Sequence, residues 1–203
     1  YSKKPGLLVE DQKAICLECH DSIKDQAKLA TVHLPFSVGK CSGCHNPHGS
    51  SLPKMMRADT KTVCISCHPD IGAYLKLADT HPPAMDGDCL GCHLPHSGQQ
   101  PGLLKAAQPQ VCAECHGDVN GKLAVNNLHT PVTKGECSSC HNAHGSNAKP
   151  LLVDSGNQLC INCHTEILDD MKKAVVHKPV MQGLCTACHL PHGSNEKSNL
   201  VKP

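Results

Sequence analysis

The chain has 203 residues, of which three are aromatic, none is Trp, 16 are Cys and 16 are His. So few large apolar side chains exclude a conventional hydrophobic core. The 19 Lys and Arg residues nearly balance the 18 Asp and Glu residues and form no charged runs, so neither nucleic acid nor an acidic membrane surface is indicated as a partner. No stretch approaches the roughly 18 consecutive apolar residues that span a bilayer, so we expect no direct membrane anchor.

The cysteines form eight C-x-x-C pairs along the chain, and His follows every pair. A C-x-x-C-H segment is the attachment motif of a c-type haem, in which both cysteines bind the haem vinyl groups as thioethers and the His binds iron. The predicted covalent attachment residues are Cys16, Cys19, Cys41, Cys44, Cys64, Cys67, Cys89, Cys92, Cys112, Cys115, Cys137, Cys140, Cys160, Cys163, Cys185 and Cys188. The predicted proximal iron ligands are His20, His45, His68, His93, His116, His141, His164 and His189. The pattern therefore predicts eight c-type haems (haem c, iron) as cofactors.

Three other interpretations of the cysteines explain less. A disulfide framework gives no reason for His to follow each second cysteine. Zinc ribbons close with four cysteines, or with two cysteines and two histidines, and do not require a Cys-His dipeptide. Redox-active C-x-x-C pairs normally occur singly on a thioredoxin-like scaffold, which this sequence lacks.

The motifs repeat with a period of 48 residues over four copies. We predict one octahaem chain, 1–203, built from two-haem units at about 5–52, 53–100, 101–148 and 149–196, with a tail at 197–203. Apolar pairs in the linkers keep the same register, and Leu200 in the tail continues it. The tail either caps the last unit or docks where the first linker of another molecule begins.

Each unit is predicted to hold one short amphipathic helix after its first motif, because apolar residues recur there at helical spacing. The positions are Ile23, Ala27, Ala30, Ile71, Leu75, Ala78, Val119, Leu123, Ile167, Met171 and Ala174. Asp21 and Thr165 are the candidate N-caps, and Gly72 and Gly121 weaken two copies. A proline near the far end is expected to stop each helix, and a glycine before each second motif to form a turn. These residues are Pro35, Pro83, Pro131, Pro179, Gly39, Gly87, Gly135 and Gly183, and the remainder is predicted to be loop.

The eight histidines outside the motifs follow the same 48-residue period. Eight irons need sixteen axial ligands, and the chain has 16 His, so we predict that this second set supplies the distal ligands. Its members are His33, His48, His81, His96, His129, His144, His177 and His192. The five methionines hold no common register, which favours packing over ligation.

Saturated bis-histidine iron favours electron transfer over catalysis. Reduction of a bound substrate needs an open iron position, and no motif here departs from C-x-x-C-H. Two imidazoles also give a lower potential than Met/His ligation. We therefore expect no enzymatic activity.

Each unit has two histidines outside its motifs, which we call the first and the second extra His. The second extra His lies too close to the motif before it to bind the haem of that motif. His48 follows His45 by three residues, so it must reach another haem. We predict that His48 serves the haem of Cys16 and Cys19, and that His33 serves the haem of Cys41 and Cys44. Ligation to an adjacent repeat or to a neighbouring subunit is the alternative.

The segment Cys41-Ser-Gly-Cys-His45-Asn-Pro-His48-Gly is repeated at 89–96, 137–144 and 185–192 and resembles the doubled C-x-x-C-H family of multihaem cytochromes. The resemblance covers nearly the whole chain. Members of this kind, in metal-reducing and related anaerobic bacteria and archaea, carry electrons through the periplasm, across outer-membrane porins or along extracellular filaments. The resemblance implies bis-histidine haems in alternating stacked and T-shaped pairs.

The predicted fold class is a multihaem cytochrome c, mostly coil with short α-helices, whose four two-haem repeats form a linear array around a haem-dominated core. About 25 residues per haem are too few to fold without the cofactor. The favoured function is electron transfer in a self-assembling extracellular filament; the alternative is a soluble periplasmic carrier or a porin-embedded conduit, and a multihaem reductase is third. The expected partners are copies of the chain or other multihaem cytochromes, otherwise an outer-membrane redox complex. Covalent haem implies an extracytoplasmic location after cleavage of an export signal, extracellular for the filament and periplasmic otherwise.

Overall fold

The computed structural model describes residues 8–117 and 123–203, which are mostly turns and coil with short helices. No helix within these ranges is long and apolar enough to cross a membrane. The described residues form two compact units, one from 8–72 with 82–107 and one from 73–81 with 108–117 and 123–203. The predicted class, mostly coil with short helices, is confirmed.

Short α-helices recur at three positions of the repeat. One runs into the first motif, at Gln12–Cys19, Thr60–Ile65, Gln108–Ala113 and Gln158–Ile161. One follows that motif, at Asp21–Gln26, Pro69–Tyr74 and Glu166–Asp170. One follows the first extra His, at Leu34–Ser37, Pro82–Asp86, Thr130–Thr133 and Lys178–Met181. Single 3₁₀ turns lie at Cys41–Gly43, Pro53–Met55, Cys89–Gly91, Pro101–Leu103, Cys137–Ser139, Cys185–Ala187 and Lys197–Asn199.

The predicted helix after the first motif is confirmed in three copies but is shorter than its apolar pattern. It ends at Gln26, Tyr74 and Asp170, so the last apolar positions of each copy lie beyond it. Val119 and Gly121 of the remaining copy lie outside the described residues. The helix that runs into the first motif was not predicted.

Of the two predicted N-caps, Thr165 is confirmed in position and Asp21 is not. Asp21 is the first helical residue and His20 holds the cap position, whereas Thr165 holds the cap position without a side-chain capping bond. A capping side chain does occur at Asp59, whose carboxylate accepts a hydrogen bond from the backbone N–H of Thr62. That cap belongs to the helix that enters the first motif.

The repeated prolines begin helices rather than end them. Pro35, Pro131 and Pro179 lie in the first turn of the third helix of their repeats. The first turn needs no intrahelical bond from its N–H groups and suits the fixed φ of proline. The predicted glycine turns are confirmed, with φ of 75° at Gly39 and 72° at Gly135.

Three two-stranded antiparallel sheets connect each repeat to the next. β1 (Thr31–Val32) pairs with β3 (Ser97–Gly98), β2 (Asp79–Thr80) with β5 (Gly145–Ser146), and β4 (Asn127–Leu128) with β6 (Gly193–Ser194). A histidine follows the first strand of each pair, and another precedes the second strand. We call each strand pair with these two histidines an inter-repeat joint. The backbone N–H of the first histidine donates to the carbonyl of the second, at 2.9 Å from His33 to His96.

Apolar burial by the polypeptide is very small. Among the described residues, Leu75 is the one buried hydrophobic side chain, at 8% exposure. The buried polar side chains in the described ranges are the serines of the second joint strands, Ser97, Ser146 and Ser194. The hydrogen-bonded joints, rather than an apolar interior, are what hold neighbouring repeats together.

We predict that the chain without haem is largely unfolded, because so little apolar surface is buried by protein alone. Protein made without haem attachment should show weak far-ultraviolet circular dichroism and rapid proteolysis. The haem-loaded protein is the control. A cooperative thermal transition of the haem-free chain would contradict the prediction.

We predict that Gly145→Ala destabilises the second joint by about 1–3 kcal/mol, because the new Cβ would collide with the carbonyl oxygen of Tyr74. The matched control is Gly117→Ala in the same unit, where a Cβ meets nothing within 4 Å. Guanidinium unfolding of the haem-loaded protein, followed by circular dichroism, measures both. Equal midpoints for the two variants would show that the close approach at Gly145 is unimportant.

Candidate haem sites

All eight C-x-x-C-H motifs share one backbone hydrogen bond. In each, the backbone N–H of the histidine donates to the carbonyl of the first cysteine, for example at 3.1 Å from His20 to Cys16 and at 3.0 Å from His45 to Cys41. Residues three and four apart on such a turn are neighbours. The turn therefore presents two thiols and one imidazole together, as covalent haem attachment requires.

The cysteines do not make the other sites that their spacing allows. None of the 16 forms a disulfide. Within 8–117 and 123–203, no three His, Cys, Asp or Glu side chains converge as they would around a metal ion held by protein alone. These arrangements disfavour both a disulfide framework and zinc ribbons.

Cysteines of successive motifs lie beside one another in two alternating ways. Within a repeat, the first cysteines of the two motifs are neighbours, as Cys64 and Cys89 are. Burial, then Cys89 through its charge and its hydrogen bond, and then Cys44 raise the pKa of Cys64 to about 11. Between repeats, the second cysteines of neighbouring motifs lie near each other, as Cys44 and Cys67 do. Burial, and then the nearby Cys67, raise the pKa of Cys44. The same contacts recur in the pairs Cys16 with Cys41, Cys160 with Cys185, and Cys140 with Cys163. In all these pairs, consecutive haems would be attached at neighbouring points.

The proximal histidines of the second motifs are oriented by backbone carbonyls. The Nδ1 atom of His45 lies 2.8 Å from the carbonyl oxygen of Lys54, and the Nδ1 atom of His189 lies 2.9 Å from that of Ser198. His93 and His141 make equivalent bonds to Gly102 and Pro150. A carbonyl only accepts, so Nδ1 carries the proton and Nε2 keeps its lone pair for a metal.

These carbonyls are not among the residues predicted from the sequence, although the sequence carries a signal for them. The linker apolar pairs in 48-residue register include Met56 and Leu104, and these residues form isolated β-bridges with His45 and His93. Three of the four residues that supply the carbonyls adopt left-handed backbone conformations, with φ of 56° at Lys54, 64° at Gly102 and 58° at Ser198. Such conformations in non-glycine residues cluster at functional sites.

Each first extra His that faces another imidazole faces one of the next repeat. The ring centroids of His33 and His68 are 6.1 Å apart with planes inclined by 20°. The pairs His81 with His116 and His129 with His164 have separations of 6.0 Å in both cases. The two members of each pair lie 35 residues apart in the sequence.

The second extra His faces a proximal histidine of the preceding repeat. The ring centroids of His45 and His96 are 6.2 Å apart, and those of His141 and His192 are 6.1 Å apart. The sequence interval here is 51 residues. Burial, and then the nearby His45 and His33, lower the pKa of His96, which keeps its imidazole neutral at neutral pH.

These separations fit one iron between two imidazoles. A metal–imidazole bond is about 2.0 Å long, so two bonds in line plus the half-width of each ring place the centroids about 6 Å apart. Two of the predicted distal rings also have the required tautomer, because Nδ1 of His33 lies 2.9 Å from the carbonyl oxygen of Pro95 and Nδ1 of His81 lies 3.0 Å from that of Ala143. The residues present therefore suit bis-histidine haem.

The structure does not bring together the histidines of the pairing predicted within one repeat. The structure places His33 beside His68 rather than beside His45, because the first joint holds the backbone of His33 against His96. His45 in turn faces His96 of the next repeat, and no described imidazole lies opposite His48. The alternative, pairing with an adjacent repeat, agrees with the distances.

The doubled CXXCH motif family matches the chain at residues 1–25, 33–73, 81–121, 129–168 and 177–203. These segments share the 48-residue register of the repeats and cover most of the sequence. No curated protein matches the chain.

Proposed function

Because this chain belongs to the doubled CXXCH motif family of multihaem c-type cytochromes, which transfer electrons, we propose that it carries them along eight low-potential bis-histidine haems as a subunit of a self-assembling extracellular filament. The observation that supports the proposal best is the set of imidazole pairs about 6 Å apart across the joints. Each such pair takes one histidine from a motif and one from another repeat. The haems would therefore lie where the repeats are connected.

The two sequence intervals give a ligand rule for the whole chain. A first extra His serves the motif His 35 residues later, and a second extra His serves the motif His 51 residues earlier. The rule supplies a distal ligand from within the chain to every motif His except His20 and His189. It leaves His48 and His177 without a motif His in the chain.

Ligation at both axial positions suits electron transfer. Each haem would supply an iron that moves between the ferrous and ferric states, and two histidines without a thioether favour a low potential. The protein holds six of the imidazoles through Nδ1 bonds to backbone carbonyls, which would fix their orientation in both states. An iron closed on both faces binds no substrate, so we propose that the protein is not an enzyme.

Contact between successive motifs supports a continuous electron path. The alternation between first-cysteine and second-cysteine contacts attaches neighbouring haems at adjacent points within a repeat and between repeats. Covalent haem attachment takes place outside the cytoplasm, which supports an extracytoplasmic and, for a filament, extracellular location.

We predict that every haem of the native assembled protein is low-spin and six-coordinate when oxidised and when reduced. Visible absorption and electron paramagnetic resonance measure the spin state, and carbon monoxide tests for an open iron. One stoichiometric high-spin haem in the assembled material, or rapid carbon monoxide binding, would support a reductase instead.

We predict that His33→Ala makes high-spin the haem attached at Cys64 and Cys67, because the His33 ring faces His68. The new signal should be lost when Cys64→Ala and Cys67→Ala remove that haem, and should persist when Cys41→Ala and Cys44→Ala remove the other candidate. Leu34→Ala, at a side chain that is 70% exposed, is the neighbouring control and should leave the spectrum unchanged. If the signal instead persists without the haem at Cys64 and Cys67 and is lost without the haem at Cys41 and Cys44, the pairing within one repeat is correct.

A further inference from the structure

Two halves of an inter-repeat joint occur in the chain without each other. The strand half-joint is Val175–Val176 with His177, which aligns with Thr31–Val32 and His33. The loop half-joint is His48 with Gly49–Ser50, which aligns with His192 and Gly193–Ser194. In the described residues, neither 175–176 nor 49–50 belongs to a strand pair.

The loop half-joint makes the same serine hydrogen bonds as its equivalent in the second joint. Ser50 Oγ donates to the carbonyl oxygen of Met56 at 2.6 Å and accepts from the backbone N–H of Leu52 at 2.9 Å. Ser146 in the second joint makes the same two bonds, to Leu152 and from Ala148. Ser146 is nevertheless buried and Ser50 is exposed. The difference lies in the partner strand that covers Ser146.

The space beside Gly49 is empty where a partner strand fills the space beside its equivalent, Gly193. Gly49 and Gly193 have the same φ of 149°. A Cβ at Gly193 would lie 2.5 Å from the carbonyl oxygen of Asn127 in the paired strand, whereas a Cβ at Gly49 would meet nothing within 4 Å. The loop at 49–50 therefore keeps a backbone shape that leaves room for a strand.

The strand half-joint is formed as well. His177 has φ −59° and ψ 125°, close to the φ −65° and ψ 127° of His33 in the first joint. Val175 is 92% exposed, whereas the equivalent Thr31 is half-buried beneath its partner. Two consecutive valines favour a strand more than any other copy of this position, and they leave an exposed apolar edge.

We propose that a second copy of this chain completes the joint, its Gly49–Ser50 pairing antiparallel with Val175–Val176 of the first copy. The register of the three internal joints places Val175 opposite Ser50 and Val176 opposite Gly49 of the other copy. The backbone N–H of His177 then donates to the carbonyl of His48, as His33 donates to His96.

The inference rests on the proposed function for its second half, the exchange of ligands. Continued across the joint, the 35-residue interval assigns His177 of the first copy to His20 of the second. The 51-residue interval assigns His48 of the second copy to His189 of the first. One joint between copies would thus supply distal ligands to both His20 and His189, which lack them within the chain. It would use His48 and His177, which have no motif His within the chain.

The occupant is a copy of the same chain because one chain carries both complementary halves in the register of its own joints. Four repeats make 192 residues, so the loop of a following copy stands where the next repeat would place it. The two halves are different surfaces, so the contact is heterologous and can propagate from copy to copy.

Cross-linking between two separately purified variants tests the strand register. Opposed residues of an antiparallel pair have Cα atoms about 4.5–5.5 Å apart, which suits a disulfide. Haem-loaded Val175→Cys and Ser50→Cys proteins, mixed under mild oxidation, should give a reducible heterodimer in most chains. The control pairs Val9→Cys, which is 85% exposed, with Ser50→Cys and should give at least tenfold less.

The spin state of the same samples tests the ligand exchange. Dilute chains should contain about two high-spin haems of eight, and the signal should disappear on assembly, as mass photometry reports growth. His177→Ala should retain one high-spin haem per joint after cross-linking, and so should His48→Ala. Leu34→Ala serves as the neutral control in this assay too.

Each outcome bears on a separate statement. Equal cross-linking at Val9 and Val175, or none at Val175, overturns the joint between copies. Cross-linking with two persistent high-spin haems overturns the ligand exchange and leaves the strand pairing. More than two high-spin haems in dilute and cross-linked chains alike overturns the proposed function itself, because the ligand rule would then fail inside the chain.

Discussion

The approach of two imidazoles from different repeats to about 6 Å is the constraint on which the rest of the structure depends. A segment of about 25 residues per C-x-x-C-H motif is too short to enclose a haem alone, so the second side of each proposed site would come from elsewhere in the chain. The joints supply that side, because a pair of two-residue strands holds His33 to His96 and His129 to His192 through backbone hydrogen bonds. The main role of the short strands in this chain is therefore to hold histidines of different repeats close together.

The small protein core follows from the same constraint. Leu75 is the one buried hydrophobic side chain among the described residues, so the positions of His45 and His33 are set by polar contacts. Carbonyls of Lys54 and Pro95 orient the two rings, and Lys54 adopts an unfavourable left-handed conformation to do so. Such a conformation costs about 1–3 kcal/mol and persists where surrounding structure over-determines it. Under the proposed function, covalent attachment and axial ligation would be the interactions strong enough to maintain it, which is why the haem-free chain should not fold.

The sequence was sufficient for whatever is encoded within a few residues, and insufficient for what connects repeats. The eight motifs, the period and the turns at Gly39 and Gly135 are local patterns, and each is present. The joints pair strands of two residues, which are too short to show an alternating pattern, so nothing near His33 indicated His96 or His68. The proline at 35 was assigned to the end of a helix because proline both stops and starts helices, and only the strand before it decides between the two. The linker apolar pairs did carry long-range information, since Met56 and Leu104 bridge to proximal histidines, but their register alone named no partner.

A joint that is the same inside a chain and between chains has a consequence for electron flow. Transfer between haems depends on their spacing, and the spacing at a joint is set by the strand register and by the histidine that crosses it. If the boundary between copies uses the register of β1 with β3, the haems at His20 and His189 acquire the environment of the haems at His68 and His141. The boundary is then no slower than an internal step, because the same atoms set its geometry. An interface built from unrelated side chains would give no such equality between the boundary and the internal steps. Under the proposal, pairing of the strand half-joint at Val175–Val176 with the loop half-joint at Gly49–Ser50 extends the electron path from one copy to the next with uniform steps.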